Sequence, residues 1–262
     1  MRSISLILAA FIVTPAFASG TLRVCADPNN LPFSNRAGEG FENKIADLIA
    51  HDLHKQVAYT WATENERFVR TTLKKGSCDV IVGVPAGVDE VETTEPYYTS
   101  TYVFVSRADR HLQIASLKDP RLHHLSVGVH LIGDEAVPPA IALGEEGVVD
   151  NIHGYMIYGD TSKPNPPSRL IEAVADGKID VAAAWGPLGG YFAKHADAPL
   201  AVTAITDTKD FAPLVFRYAI AMGVRTGDDE LKQQLDGALA RNKSAIRRVL
   251  VSYGVPLTDG GT

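Results

Sequence analysis

Short apolar runs alternate with helix-patterned segments along the first third of the chain. Three runs have the composition of β-strands: Leu22–Ala26, Val57–Trp61 and Val80–Val84. Between the first two, apolar side chains from Phe41 to Leu53 recur at helical spacing and predict one buried stripe. A second helical pattern, over 68–73, ends at Gly76. The order strand, helix, strand, helix, strand predicts a parallel, doubly wound sheet.

The alternation continues to the end of the chain. Further strands are predicted at Tyr102–Ser106, Ser126–His130, Ile179–Ala184, Leu200–Ile205 and Arg217–Gly223. Further helices are predicted over 133–147, 168–175 and 228–253, and Pro138 with Pro139 should break or kink the first of them. The predicted fold class is α/β with two lobes, 19–107 plus 218–262 and 108–217. Each lobe should be a mainly parallel sheet flanked by helices.

The first 18 residues have the pattern of a secretory signal peptide. Arg2 provides a positive start, an apolar run follows over 4–13, and Ala16-Phe17-Ala18 is a small-x-small site. We therefore predict cleavage after Ala18 and a periplasmic mature protein. The apolar run is too short to span a bilayer, so no membrane insertion is expected. A buried N-terminal helix is the alternative.

Charge and cysteine content narrow the function classes. Loss of Arg2 with the signal would leave 24 basic and 31 acidic side chains, a formal charge of −7. This balance argues against nucleic acid as a partner. The even pair Cys25 and Cys78 favours a disulfide in an oxidising compartment, with two buried thiols as the alternative. Because two isolated cysteines cannot supply four zinc ligands, no metal site is predicted.

Binding groups are predicted where the strands end. In an open parallel sheet a ligand lies beyond the carboxyl ends of the strands, and two hinged lobes would place several such ends around one cleft. The predicted cleft residues are Asp27, Asn29, Asn30, Phe33, Arg67, Gly83, Pro85, Tyr97, Arg107, His130, Trp185 and Tyr218. Structural roles remain the alternative: Asp27 and Asn29 could only shape a turn, and Trp185 could only fill a core.

Three long strings carry a resemblance to a known family. They are LRVCADPNNLPFSNRAGEGFENKIADLIA (22–50), RFVRTTLKKGSCDVIVGVPAG (67–87) and PYYTSTYVFVSR (96–107). The mature chain resembles type 2 periplasmic binding proteins, and these strings resemble the MoxJ, MxaJ and XoxJ type associated with quinoprotein dehydrogenases of methanol oxidation. The resemblance implies a two-lobed periplasmic binding protein. It also supports a bridge between Cys25 and Cys78, since both cysteines recur in these strings in the family.

The resemblance implies a non-catalytic accessory of a dehydrogenase that depends on pyrroloquinoline quinone (PQQ). Such a protein would act by cleft-mediated binding in maturation or activation of the methanol or alcohol dehydrogenase. The implied partners are that dehydrogenase and its cytochrome c. The quinone would belong to the dehydrogenase, so no cofactor is expected in this chain.

Two alternatives remain. The first is the substrate-binding receptor of an ABC transporter for a small solute. Amino-acid receptors place an arginine between the Gly-containing strand end and a Pro-Tyr pair, but the interval 83–96 contains no Arg or Lys, which argues against a typical amino acid. The second is a dehydratase on the same fold, as in some cyclohexadienyl dehydratases, with His130 and Asp134 as an acid–base pair.

Overall fold

The computed structural model describes residues 20–133, 135–157 and 165–258. The predicted signal peptide, its cleavage site and Asp134 lie outside the described residues. The strands are β1 Gly20–Ala26, β2 Asn29–Asn30, β3 Ser34–Asn35, β4 Lys55–Trp61, β5 Val80–Pro85, β6 Glu92–Thr93, β7 Tyr98–Arg107, β8 Val127–Ile132, β9 Glu135–Ala136, β10 Ile152–Met156, β11 Val181–Trp185, β12 Leu200–Ala204 and β13 Arg217–Val224. The α-helices are α1 Phe41–Asp52, α2 Phe68–Thr71, α3 Pro138–Glu145, α4 Arg169–Ala175, α5 Gly186–Lys194 and α6 Asp229–Ser252.

The strands form two mainly parallel half-sheets, as predicted. In the first lobe β4, β1 and β5 are parallel neighbours, and β13 runs antiparallel beside β5. In the second lobe β10, β8 and β11 are parallel neighbours, and β7 pairs antiparallel with both β11 and β12. The carboxyl ends of the parallel strands in both lobes therefore carry the loops that face the other lobe.

Strand β7 belongs to both half-sheets. Its residues Tyr98–Thr101 pair with β13, whereas Tyr102–Ser106 pair with β11. At the change of partner, Thr101 Oγ1 and Tyr102 N donate to the carbonyl of Phe216, at 3.0 Å and 3.1 Å. The change of pairing thus lies between Thr101 and Tyr102, while the lobe boundaries inferred from the sequence stay a prediction.

The segment after α6 is a further connection between the halves. Ser100 Oγ donates to the carbonyl of Pro256 at 2.6 Å, and Thr258 N donates to the carbonyl of Thr99 at 3.0 Å. Tyr253 stacks on Tyr191 of α5 with 5.7 Å between ring centroids. The C-terminal segment is therefore fixed to β7 and to a helix of the second lobe.

Apolar packing follows the predicted pattern. The core of the first lobe holds the buried stripe of α1, including Phe41, Ile45 and Ile49, against β1, β5, β13 and α6. The second lobe has separate cores on the two faces of its sheet. Trp185 and Tyr218 pack against the first-lobe core and against one of the second-lobe cores. These two rings therefore sit at the junction of the lobes.

The disulfide is confirmed, and one local expectation is corrected. Cys25 of β1 is bonded to Cys78, which lies just before β5. Pro138 and Pro139 do not break a helix but begin α3, because proline lacks only a hydrogen bond that the first helical turn does not make. The strand β10 and the helix α5 were not predicted.

A candidate ligand cavity between the lobes

A cavity of about 340 Å³ lies between the lobes. Its size is within the range of small-molecule binding sites. Its lining comes from both lobes and comprises Asn30, Phe33, Glu42, Glu64, Gly83, Pro85, Tyr98, Tyr102, His130, Ile132, Val137, Ile157, Trp185, Leu188, Tyr218 and Ile220. The shared strand β7 contributes one tyrosine on each side of its change of partner.

Aromatic rings form the wall of the cavity at the lobe junction. The centroid of Trp185 is 5.4 Å from that of Tyr102 and 5.6 Å from that of Tyr218, both in edge-to-face arrangements. Trp185 is the last residue of β11, and the helix α5 begins directly after it. This packing fixes the rings in the cavity wall and favours a ligand with an apolar or cationic part.

Glu42 brings a carboxylate to the cavity from the first turn of α1. The carboxylate lies against β5 at Gly83, where a Cβ atom would stand 2.0 Å from Glu42 Oε1. Burial raises the pKa of the Glu42 carboxyl to about 8, and the negative charge of Glu64 adds to the rise. A negative charge is favourable at a helix N-terminus, but here the loss of solvation is the larger effect.

Glu64 brings a second carboxylate from the loop after β4. Its backbone N–H donates to Asp27 Oδ2 at 2.6 Å, and Asn30 Nδ2 donates to Glu64 Oε2 at 2.7 Å. Burial raises the pKa of Glu64 to about 7, the charge of Asp27 adds to the rise, and the hydrogen bond from Asn30 opposes it. The site therefore holds two carboxyl groups that titrate near neutral pH.

His130 lies on β8 of the other lobe. Its side chain lines the cavity, and the residue is only 2% exposed. Nε2 lies 3.2 Å from the carbonyl oxygen of Pro167, which can only accept, so Nε2 carries the hydrogen. Burial lowers the pKa of His130 to about 4, and the ring is neutral. Nδ1 is then an acceptor, and it has no partner among the described residues.

A family model for bacterial extracellular solute-binding proteins, family 3, matches residues 22–248. The chain belongs to this family.

Protein MoxJ of Methylorubrum extorquens is 35% identical to this family member over 251 residues, covering 91% of this chain and 82% of that protein. The crystal structure of the periplasmic binding protein XoxJ from Methylobacterium extorquens AM1 is 35% identical, with a TM-score of 0.75 and coverage of 90% and 99% of the two chains. MxaJ from Methlophaga aminisulfidivorans MPT is 29% identical, with a TM-score of 0.78 and coverage of 90% and 100%. The predicted type 2 binding-protein fold and the MoxJ-type resemblance are thereby confirmed.

Several of the residues predicted to form the cleft of this solute-binding protein line the cavity. They are Asn30, Phe33, Gly83, Pro85, His130, Trp185 and Tyr218. Whether they contact a ligand stays a prediction.

The turn residues predicted for the cleft lie beside the cavity and shape it. The Asp27 carboxylate accepts hydrogen bonds from the backbone of Asn29, at 2.7 Å, and of Glu64. Asn29 Oδ1 accepts from the backbone N–H of Asn165 at 3.0 Å and so connects the two lobes. Asp27 thus positions Glu64.

The remaining predicted residues lie outside the cavity lining. Arg67 is exposed beside the short helix α2. Arg107, at the far end of β7, pairs with Asp109 at 2.6 Å. Tyr97 donates its hydroxyl to the carbonyl of Val82 at 2.9 Å, and its neighbour Tyr98 lines the cavity instead. Among the described lining residues there is no arginine or lysine.

The sequence reasoning missed the two glutamates. Glu42 lies in the first turn of a helix and Glu64 in a polar loop, where a carboxylate is ordinary. A signal was nevertheless present at Gly83, since glycine within an apolar strand indicates a close approach. The described residues contain no group of three or more His, Cys, Asp or Glu placed to hold a metal ion, and no helix among them is long and apolar enough to cross a bilayer.

Proposed function

We propose that this solute-binding protein is a periplasmic accessory of a PQQ-dependent methanol or alcohol dehydrogenase, and that it binds rather than catalyses. It acts through its cleft during maturation or activation of the dehydrogenase, with that enzyme and its cytochrome c as partners. The observation that carries the proposal is the 35% identity to MoxJ over 91% of this chain. Membership of an extracellular family and the signal-peptide pattern support a periplasmic location.

The composition of the cavity supports an accessory role over amino-acid transport. An amino-acid receptor clamps the α-carboxylate with an arginine, whereas the described lining of this cavity offers carboxylates and aromatic rings. An amino-acid carboxylate would therefore meet like charge.

The test is the dehydrogenase activity of a host strain that lacks this gene. We expect low activity in the deletion strain, restored by the wild-type gene, and co-purification of the dehydrogenase with the tagged protein under native conditions. Trp185→Ala should abolish restoration because Trp185 lines the cavity. Trp61→Ala is the matched control, since Trp61 stacks on Tyr59 outside the lining. Full dehydrogenase activity in the deletion strain would contradict the proposal.

A second candidate, a transporter receptor for a small solute, is supported by the ligand-sized cavity and the Asn29–Asn165 hydrogen bond across the lobes. It predicts that one metabolite, at 100 times its Kd, stabilises the protein by about 2.7 kcal/mol. A thermal-shift screen of periplasmic solutes tests this candidate. If no solute shifts the melting temperature, transport is the weaker interpretation.

A further inference from the structure

The charged groups that line the cavity are carboxyl groups, beside the neutral hydroxyls of three tyrosines and the indole N–H of Trp185. Glu42 and Glu64 contribute carboxylates, and the amide N–H of Asn30 is already donated to Glu64. Asp27, directly behind Glu64, adds negative charge. Because no described lining residue is an arginine or lysine, these charges lack a cationic partner within the cavity.

The second lobe supplies an independent observation. His130 is nearly fully buried, it lines the same cavity, and its Nδ1 has no hydrogen-bond partner among the described residues. A buried acceptor without a donor costs free energy, so a donor supplied by a bound molecule would be favourable there. The Nε2–H bond to Pro167 fixes Nδ1 as the acceptor.

We propose that the cavity binds an organic cation, a primary ammonium group on a short apolar chain, with Glu42 and Glu64 of one lobe and His130 Nδ1 of the other as its hydrogen-bond acceptors. The inference rests on the proposed binding role of the cleft and names the chemistry of its ligand. An ammonium group has three donors and no acceptor, which matches this set of groups. The rings of Trp185, Tyr102 and Tyr218 offer faces for the cation and for the apolar chain.

The titratable groups around the site set the direction of its pH dependence. Glu42 and Glu64 hold pKa values of about 8 and about 7, so acid neutralises both carboxylates. His130 stays neutral at such pH values, and burial holds the pKa values of Tyr97 and Tyr98 well above their ordinary range. A bound cation favours the ionised carboxylates. Affinity for the cation should therefore rise with pH.

Calorimetry on the secreted full-length chain tests the ligand class with three probes of equal chain length. These are n-butylamine, n-butanol and butyrate, at a pH of about 8.5, where an alkylammonium with a pKa of about 10.4 stays charged. We expect binding of butylamine at least about tenfold tighter than of butanol, and no binding of butyrate. Butyrate that binds as tightly as butylamine, or a protein that binds none of the probes, would overturn the proposal.

Variants separate the carboxylates from general charge effects. Glu42→Gln and Glu64→Gln should each weaken butylamine binding by about tenfold or more. Glu90→Gln removes the same charge from an exposed loop and should leave the affinity unchanged. Since a variant could fold poorly, the wild-type protein gives a second readout: affinity should fall at least about tenfold from a pH of about 8.5 to about 6. Equal affinity for butylamine across these variants and pH values would contradict the proposed cation site.

The ammonium group could belong to a free amine or to a lysine side chain of a polypeptide. Nα-acetyl-lysine methylamide mimics the side chain, and its Nε-acetylated form is the neutral control. Binding of butylamine without the lysine mimic indicates a free solute, and binding of the mimic without its neutral form indicates a polypeptide.

Amine binding in a protein whose deletion leaves dehydrogenase activity intact would refute the accessory function alone. Dehydrogenase activity that requires this protein, together with no amine binding by it, would refute only the proposed cationic ligand.

Discussion

Carboxyl groups near the two ends of strand β5 lie in opposite electrostatic surroundings. Asp79, just before β5, accepts a hydrogen bond from Arg23 Nε at 2.9 Å and faces Arg225 Nη2 at 3.3 Å. Burial alone would raise the pKa of Asp79, but the hydrogen bonds from both arginines hold it below its ordinary value. Near the other end, Glu42 lies against Gly83 without such a partner, and its pKa is raised.

The two carboxyl groups therefore point to different roles for the two ends of β5: a structural role at Asp79 and a binding role at Glu42. The Asp79 end is reinforced by the Cys25–Cys78 bridge and by ion pairs, so its charges are satisfied within the fold. The Glu42 end retains a carboxylate whose burial costs free energy, and such groups concentrate at binding and catalytic sites. The first arrangement satisfies its charges within the fold, and the second leaves a carboxyl group available for the proposed ligand.

The largest expected effect comes from removing the disulfide at the reinforced end. The bridge closes a loop with a sequence separation of 53. We expect the double variant Cys25→Ala with Cys78→Ala to lose about 4 kcal/mol of unfolding free energy, measured by urea denaturation. A reducing agent should destabilise the wild type similarly and leave the variant unchanged. A loss below about 1 kcal/mol would contradict a reinforcing role.

Breaking the ion pairs at the same end should have the next largest effect. Asp79→Asn leaves Arg23 and Arg225 without their carboxylate partner, and we expect a loss of about 2 kcal/mol in urea denaturation near neutral pH. Asp150→Asn, on the exposed surface, is the matched control and should change stability little. If both variants behave alike, the ion pairs add nothing to stability.

The pH dependence of stability should differ between the two ends. The folded pKa of Glu42 is raised, so its contribution is fully present below the ordinary value of 4.5 and is lost as pH rises through about 8. The folded pKa of Asp79 is lowered, so its contribution is present above 3.8 and is lost in acid.

Stability should therefore decline on the alkaline side by about 1–2 kcal/mol between pH values of about 5 and 9, since a carboxylate that faces a cavity is partly screened. Glu42→Gln with Glu64→Gln should flatten that decline, and Glu90→Gln should not. Urea denaturation across this range measures both slopes. An unchanged slope in the double variant would show that Glu42 and Glu64 do not cause the alkaline decline.

The smallest effect on stability is expected from Gly83→Ala. Its Cβ would displace the end of the flexible Glu42 side chain rather than backbone, so the cost should be below about 1 kcal/mol. The same substitution should move the carboxylate and reduce the alkaline decline. Gly144→Ala is the control: its Cβ would meet open space in α3, and the helix should gain up to about 1 kcal/mol. A Gly83 variant that keeps the wild-type pH profile would contradict the contact.

Local periodicity predicted most of the fold because it depends on side chains that face a core. The buried stripe of α1 and the apolar run of β5 could be recognised in the sequence, and both lie as expected. Helix α5 could not be predicted, because Gly-Pro-Leu-Gly-Gly resembles a turn. Glycine at Gly190 serves close packing instead, since a Cβ there would lie 2.0 Å from the carbonyl oxygen of Gly254.

The candidate site was predictable only in part. Strand ends identified Asn30 and His130 because topology places such ends in a cleft. Glu42 and Glu64 became distinctive only through burial by elements distant in sequence, which no local pattern records. Conversely, Arg107 is the last residue of β7 but pairs with its near neighbour Asp109, so a position at a strand end did not by itself place its charge in the cavity.

The C-terminal segment bears on how a ligand would enter. With β7, β13 and the residues after α6 all passing between the halves, three chain segments restrain one side of the junction. The hydrogen bond from Asn165 to Asn29 is a far weaker connection. Rotation about the restrained side would separate Asn29 from Asn165. A ligand would then enter and leave past Asn29. Substitutions of Asn29 should therefore alter the residence time of the ligand more than its affinity.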